Sequence, residues 1–596
     1  MSEQEETASG IIEIPVSMVS LPFGFDQRKE GLYFQAGDDD PPVRIAGPFM
    51  IEAQTRDERG CNWGLLLSWQ DADGRQHRWA MPRGLLAGEG TELRAQLLDR
   101  GLFVASGRTA RGHLLNFLAS VTTVDRAWAT DRLGWVGGAF ALPDRTIGSE
   151  YGARVVYQSA EGGDHPYLCA GALADWQGGV AAPAEGNFRL MLAISGAFVG
   201  PLLGLLDEEG GGVHMRGPSS IGKSTALIAA ASVWGKPARY LKQWRATANG
   251  LEGVAVAHSE TLLCLDELGQ LDPREAGSAA YLLANGQGKS RAGRSGTLRA
   301  PAAWRAFFLS SGEIGLAALA QRDTRSAARP GAGQEIRILD IEADAGKGFG
   351  LFDHLAGQAS AERLARHVKE QAGQHHGHAG PAFVEGMIAR GLESVADDLS
   401  ACLRIFVDEY LPASATGQVA RAARRFGLIG CAGELAISLG VLPWRAGTAE
   451  QAALVLFREW LLARGGAGLA EDVDAVSQVR AFMEAHGSSR FEIIRRGSDS
   501  QEHLGDGRSI INRVGFYRID EESGMREYYI MKEGWKDVCA GLDPRRTARL
   551  LAEKGYLVRD SKGNSTVPKW LPGLGQQRVY VVAPLLLAGG EPIDGE

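Results

Sequence analysis

Residues 213–228 read VHMRGPSSIGKSTALI, and the stretch from Gly217 to Ser224 fits G-x-x-x-x-G-K-[ST] without a mismatch. This pattern constrains the fold because it needs one setting. A strand must end in a tight loop whose backbone N–H groups converge on an anion, and a helix must follow with its N-terminal dipole facing that anion. Gly217 and Gly222 permit the turn. Val213, His214 and Met215 read as a strand end, and STALIAAASVW reads as a helix. Gly217, Pro218, Ser219, Ser220, Ile221, Gly222, Lys223, Ser224 and Thr225 are therefore expected to cradle a nucleotide. Lys223 would reach the terminal phosphates and the Ser224 hydroxyl would ligate Mg²⁺. The competing reading, an ordinary glycine turn before a helix, is disfavoured by the strand, loop, helix order.

Downstream, TLLCLDEL (261–268) is an apolar strand ending in Asp266 and Glu267. An acid at such a strand end holds Mg²⁺ through water, and the adjacent carboxylate orients and deprotonates an attacking water. Alone, the segment could equally be a buried strand entering a surface loop. Following a phosphate loop with a helix and a strand-like segment between, the acid pair points to hydrolysis of ATP. A further strand, WRAFFLSSGE (304–313), ends in Ser310 and Ser311 before Glu313.

Between these strands lies the most informative charge pattern. From Ala276 to Gly312 there is no Asp or Glu, whereas Lys289, Arg291, Arg294, Arg299 and Arg305 all occur. A glycine-punctuated basic loop suits an anionic polymer, because Lys and Arg neutralise phosphates without reading sequence. Against a net charge of −9 over 596 residues, any nucleic-acid surface must be local.

The chain is long enough for three or four domains. Residues 1–165 contain strand-like runs such as NWGLLLSWQDADGRQHRWAM, joined by an Asp-Gly turn, and read as a mixed α/β domain. The Gly- and aromatic-rich stretch 131–150 reads as a packed hairpin. Residues 166–349 carry the α/β alternation of a nucleotide-binding core, 350–465 are helical, and 466–596 end in a winged-helix pattern. In that last region DPRRTARLLAEKGYLVRD reads as a helix and RVYVVAPLL as a strand, and Asp543 to Arg578 holds eight Lys or Arg against three Asp or Glu. The same pattern also serves as a protein-docking module.

Cysteines at 61, 169, 264, 402, 431 and 539 form no C-x-x-C pair, so reduced thiols are expected. The acidic start MSEQEETASG lacks a signal-peptide core and favours the cytoplasm. The apolar run Leu190–Leu206 is broken by Gly196, Gly200, Pro201 and Gly204 and reads as a buried helix rather than a membrane span. His375, His376 and His378 have no Cys or carboxylate ligands close in sequence and read as a solvated loop rather than a metal site.

Taken in order, GPSSIGKST, LLCLDELGQLDPREAGSAAYLLANGQGKSRAGRSGTLR, FFLSSGE and GAGQEIRILDIEADAG closely resemble an AAA+ family long labelled a domain of unknown function. Its members occur in phages, plasmids and integrating islands and include the MCM-like replicative helicases of staphylococcal cassette elements. The likeness covers most of residues 110–440. It implies a ring-forming, hexameric, ATP-driven DNA helicase of a mobile element that acts in DNA replication. It also implies an AAA+ core with a helical lid and a basic hairpin (Lys289, Arg291, Arg294, Arg299) projecting into a DNA channel; no primase signature occurs in the sequence, so a separate primase is expected as partner. Lys223, Ser224, Asp266 and Glu267 take the family's phosphate, metal and water-activating roles. Ser310 or Ser311 would be the polar sensor. Arg337 would be the finger completing a neighbour's site, with Arg325 and Arg329 as competitors, and Arg421 would be a second sensor. Each arginine could instead be a surface or ion-paired residue. A second class, an ATP-dependent assembly or signalling protein that binds DNA without unwinding it, remains open, and a small-molecule kinase is more remote.

Overall fold

The computed structural model describes residues 19–148, 154–158, 165–288, 291–292, 298–299, 301–320, 322, 337–464, 466, 470–496, 502–504, 510, 512–519 and 524–588. The architecture is multidomain and mixed α/β. Two compact units are present: residues 1–316, 337–406 and 425–456 form the first, and 317–336, 407–424 and 457–596 the second.

At the heart of the first unit five parallel strands follow the order Lys242–Gln243, Leu262–Asp266, Phe307–Gly312, Gly211–Arg216, Ile338–Glu342. Their near-uniform burial is that of a parallel sheet covered on both faces. The strand read from WRAFFLSSGE is thus inserted between the phosphate-loop strand and the strand that ends in Asp266. His214, fully buried on the strand Gly211–Arg216, ties the insertion in place. Its Nδ1 lies 2.8 Å from Ser310 Oγ and its Nε2 3.0 Å from the Ile314 carbonyl.

The segment entering that inserted strand is hydrogen-bonded throughout. Gly288 N donates to Ala302 O (2.8 Å), Trp304 N to Gly286 O (2.9 Å), Glu260 N to Arg305 O (2.7 Å) and Gly211 N to Ala306 O (3.1 Å). Beyond this base, Arg291–Ala292 and Leu298–Arg299 pair antiparallel, with Arg291 opposite Arg299, so the basic insertion is a hairpin. Arg305 belongs elsewhere: its guanidinium meets the buried Glu260 carboxylate at 3.2 Å.

The amino-terminal part of this unit is a mixed five-stranded sheet, ordered Arg154–Tyr157, Arg126–Thr130, Met50–Arg56, Gly64–Gln70, Gln76–Pro82. Its hairpin turn is held by Asp71, whose Oδ1 accepts from Asp73 N and Arg75 N (3.0 and 2.9 Å). Helices Thr91–Asp99 and Arg108–Ser120 contribute Leu93, Leu97, Leu114 and Phe117 to the same core as Leu65, Leu67 and Trp79. The 131–150 stretch folds as Gly134–Val136, Ala139–Ala141 and Thr146–Ile147.

One expectation is refined and two are corrected here. The apolar run near 190–206 is two buried helices, Phe188–Gly196 and Gly200–Leu205, broken where its glycines cluster, and among the described residues no helix is long and apolar enough to cross a membrane. The histidine segment is packed rather than solvated. His376 is buried, its backbone pairs with Ala170, and His375 sits 3.6 Å from the Asp175 carboxylate, while no metal-holding group of side chains occurs among the described residues. Finally, Cys402 and Cys431 are joined as a disulfide between helices Leu392–Tyr410 and Gly417–Ser438, their Cα atoms 6.3 Å apart, whereas reduced thiols were expected throughout. A pairing across two helices has no local spacing signal.

The second unit contains a six-stranded sheet ordered Glu502–Leu504, Phe491–Arg496, Gly515–Ile519, Arg526–Ile530, Gly575–Val582, Val567–Leu571. Helices Ala470–His486, Lys532–Val538 and Pro544–Glu553 supply Val479, Trp535 and Leu551 to a core shared with Tyr528 and Val582. The sequence reading found the helix at Pro544–Glu553 and the last strand, and overlooked the strands between Phe491 and Ile530.

Burial holds His214 and His258 neutral, pushing both rings down to about 4. The unfolded chain protonates near pH 6.5 and the folded one only near 4, so stability present above 6.5 is lost as pH falls through that window. His214 alone should contribute a loss on the order of 3 kcal/mol. Denaturant unfolding at pH 7, 5.5 and 4 should show a shallower decline for His214→Gln; an unchanged slope would dismiss this account.

Candidate nucleotide-binding site

The phosphate loop leaves the strand Gly211–Arg216 at Arg216, whose guanidinium pairs with Asp340 (3.2 Å) and Glu342 (3.3 Å) on the neighbouring strand. Ser220 and Gly222 adopt left-handed backbone (φ 66° and 108°), curling the chain into the start of helix Lys223–Ala231. Lys223 is buried, and its ammonium donates to the carbonyls of Gly217 (2.7 Å) and Pro218 (2.6 Å). Thr225 is fully buried, with a hydroxyl that has no hydrogen-bond partner.

The inserted strand brings the other groups to this loop. Gly217 N donates to Gly312 O (3.2 Å). One step back, the Ser311 hydroxyl donates to Asp266 Oδ1, and the other carboxylate oxygen of Asp266 lies 3.5 Å from Ser224 Oγ. Ser310 is occupied elsewhere: it is buried between His214 and Trp244, whose Nε1 donates to it at 2.8 Å. The two serines left open by the sequence are thereby distinguished. Only Ser311 adjoins the acid. Glu267 follows in a left-handed conformation (φ 61°), a strained state for a residue with a Cβ.

The loop residues and Glu267 face a cavity of about 670 Å³. One wall is the loop from Ser219 to Thr225 with Glu267 and Glu313; the other comprises Gly348, Phe349, Gly350, Phe352 and one face of helix Ala361–Gln374. Sequence reasoning missed this second wall and the Glu313 carboxylate. The glycine–aromatic run GKGFGLF, just after the last strand of the sheet, was the available signal.

The arginines are dispersed. Arg337 sits at the amino-terminal edge of the sheet, away from the loop, stacked 4.5 Å over the Tyr281 ring and donating to Asn285 Oδ1 (3.1 Å). Arg421 is exposed on helix Gly417–Ser438 and belongs to the second unit. Arg325, Arg329, Lys289 and Arg294 lie outside the described residues, while Arg291 and Arg299 lie in the paired hairpin strands.

Residues 25–303 match a protein family described as "Domain of unknown function (DUF927)". No curated protein matches. A solved structure named "SCCmec type IV Cch - active helicase" is similar with a TM-score of 0.65, over 95% of this chain and 99% of that one, at 16% identity. A likeness at that identity is one of fold, and it extends from the amino-terminal sheet to the carboxy-terminal unit.

Because Ser310 satisfies two buried groups, Ser310→Ala should lower the unfolding free energy by about 1–3 kcal/mol. Ser311→Ala, whose partner Asp266 is only half-buried, should cost clearly less. Equal losses in urea melts would contradict this division of labour.

Proposed function

We propose that the chain is an ATP-driven DNA helicase of a mobile genetic element, assembled as a ring, with an AAA+ core, helical lid and winged helix. The reading is carried by one observation: Lys223, Ser224 and Glu267 line one cavity at the carboxyl edge of a parallel sheet, with Asp266 beside Ser224 and Ser311 donating to Asp266. The strand order, with the sensor strand inserted between loop and acid, supports the AAA+ assignment, and the fold likeness to a protein named as an active helicase supports the choice of motor.

In this reading the ammonium of Lys223 exchanges its loop carbonyls for phosphate oxygens, and backbone amides of the loop bind the rest of the anion. Glu267 takes a proton from the attacking water. Ser311 fixes the rotamer of Asp266 and reports on the terminal phosphate. A hydroxyl and a carboxylate at the loop's edge are hard oxygen donors that fit Mg²⁺, with nucleotide phosphates and water completing its shell. Bound there, Ser224 and Asp266 would hold the metal, which supplies charge neutralisation on the phosphates.

Arg337, fixed by Tyr281 and Asn285 at the far edge of the sheet, is placed in this reading as the finger for a neighbouring subunit, and Arg421 as a second sensor. The four-part division at 165/166, 349/350 and 465/466, a cytoplasmic location and a separate primase belong to the same proposal. In the second unit, helix Pro544–Glu553 followed by the antiparallel pair Val567–Leu571 and Gly575–Val582 matches the order of a winged helix.

Lys223→Ala should abolish ATP turnover, and Glu267→Gln should bind nucleotide yet turn over at least a hundredfold more slowly, in the range lost with a general base. Normal hydrolysis by either overturns the site. The test of the motor is single-strand-stimulated ATPase followed by strand displacement on a forked duplex; hydrolysis without unwinding would favour the assembly or signalling class. Neutralising Lys289, Arg291 and Arg294 together should spare basal hydrolysis and reduce unwinding. It should also flatten the salt dependence of single-strand binding by roughly 0.7 in log–log slope per lost phosphate contact.

A further inference from the structure

The phosphate loop accounts for only one wall of the cavity. We propose that the opposite wall is a nucleoside seat, in which the Phe349 ring stacks the base and Lys369, on helix Ala361–Gln374, faces the phosphate chain. This rests on the nucleotide reading above and adds to it a base subsite.

Phe349 is an aromatic ring kept out of the core. It is 37% exposed, lines the cavity, and sits between Gly348 and Gly350, both left-handed (φ 79° and 62°), whereas nearby Phe352 is buried. The loop that presents it is closed on itself by Ala345 N donating to Gly350 O (2.7 Å) and tethered to the phosphate loop by Leu351 N donating to Ile221 O (2.8 Å). At Gly350 an added Cβ would stand 2.5 Å from the Ile221 carbonyl, so glycine is demanded by the close approach that sets Phe349 beside the loop. A ring held at fixed distance from an anion cradle, on a brace with no slack, is arranged to receive the flat end of a ligand whose other end is phosphate.

The helix supplies the rest. Ser360 caps it, accepting from Arg363 N (3.2 Å), and Leu364, Val368 and Ala372 bury one stripe. The remaining face turns Ala361, Glu362, Ala365, Arg366, Lys369 and Glu370 to the cavity, at helical spacing. The two alanines leave room for a planar ring opposite Phe349. Arg366 is engaged by Glu362 at 2.6 Å, one helical turn earlier, which leaves Lys369 as the cation of this face to meet phosphate. Stacking is tolerant of base identity and grows with ring area, so the seat takes purine nucleoside triphosphates in preference to pyrimidine ones.

Equilibrium binding to the full-length chain tests this with two probes, the non-hydrolysable analogue AMP-PNP and inorganic tripolyphosphate, which has no base. Phe349→Ala should weaken AMP-PNP roughly tenfold or more and leave tripolyphosphate within about twofold, and Phe349→Trp should restore AMP-PNP binding. Lys369→Ala should weaken both probes. Wild-type AMP-PNP affinity in Phe349→Ala overturns the proposal, as does equal weakening of both probes, which would make the ring a prop for the loop. Phe349→Leu, which preserves apolar bulk, must reproduce the alanine result in a chain with wild-type circular dichroism. The nucleotide reading itself fails by a different result: Lys223→Ala binding tripolyphosphate as well as wild type.

Discussion

The position of one strand governs the site. Phe307–Gly312 lies between the strand that ends in the phosphate loop and the strand that ends in Asp266, so loop and acid are two strand spacings apart rather than one. Strands pack slightly under 5 Å apart. The inserted strand touches both sides: Ser311 donates to Asp266, and Gly312 O accepts from Gly217 N of the loop (3.2 Å). With the acid strand directly beside the loop strand, the same residues would crowd one another.

That arrangement is bought with polar groups buried in the sheet. His214 and Trp244 both direct ring nitrogens to Ser310, on the opposite side of the strand from Ser311, and the ring stays neutral because burial penalises its charged form. Alternation along a strand therefore assigns adjacent serines to different tasks, one holding the sheet together and the other facing the acid. Elsewhere Glu260 performs a comparable bracing role, accepting from Trp135 N (2.6 Å) and pairing with Arg305. Buried charge of this kind is tolerated because each oxygen finds a donor.

Much of the core was legible because its elements follow local rules. The phosphate loop, the acid-terminated strand and the Asp71 hairpin are encoded within a few consecutive residues each, and the structure places them where the patterns put them. Ser310 and Ser311 could not be told apart, since the partners that separate them, His214 and Trp244, are distant in sequence. Phe349 and the face of Ala361–Gln374 went unnoticed for the same reason: their relation to the loop arises through Leu351 and Ile221, a contact between segments more than a hundred residues apart. The Cys402–Cys431 link and the strands from Phe491 to Ile530 also depend on tertiary pairing, and Arg305, counted with the hairpin cations, proved to be the partner of a buried acid.

The hydrogen bonding that holds Ala302 to Ala306 at the entry to the inserted strand has a mechanical meaning. The basic hairpin and the strand touching both phosphate loop and acid are one continuous stretch of chain, clamped at Trp304, Arg305 and Ala306. A load on the hairpin therefore arrives at Ser311 and Gly312 as displacement, and a change in what the loop and acid hold is returned along the same lever to the hairpin.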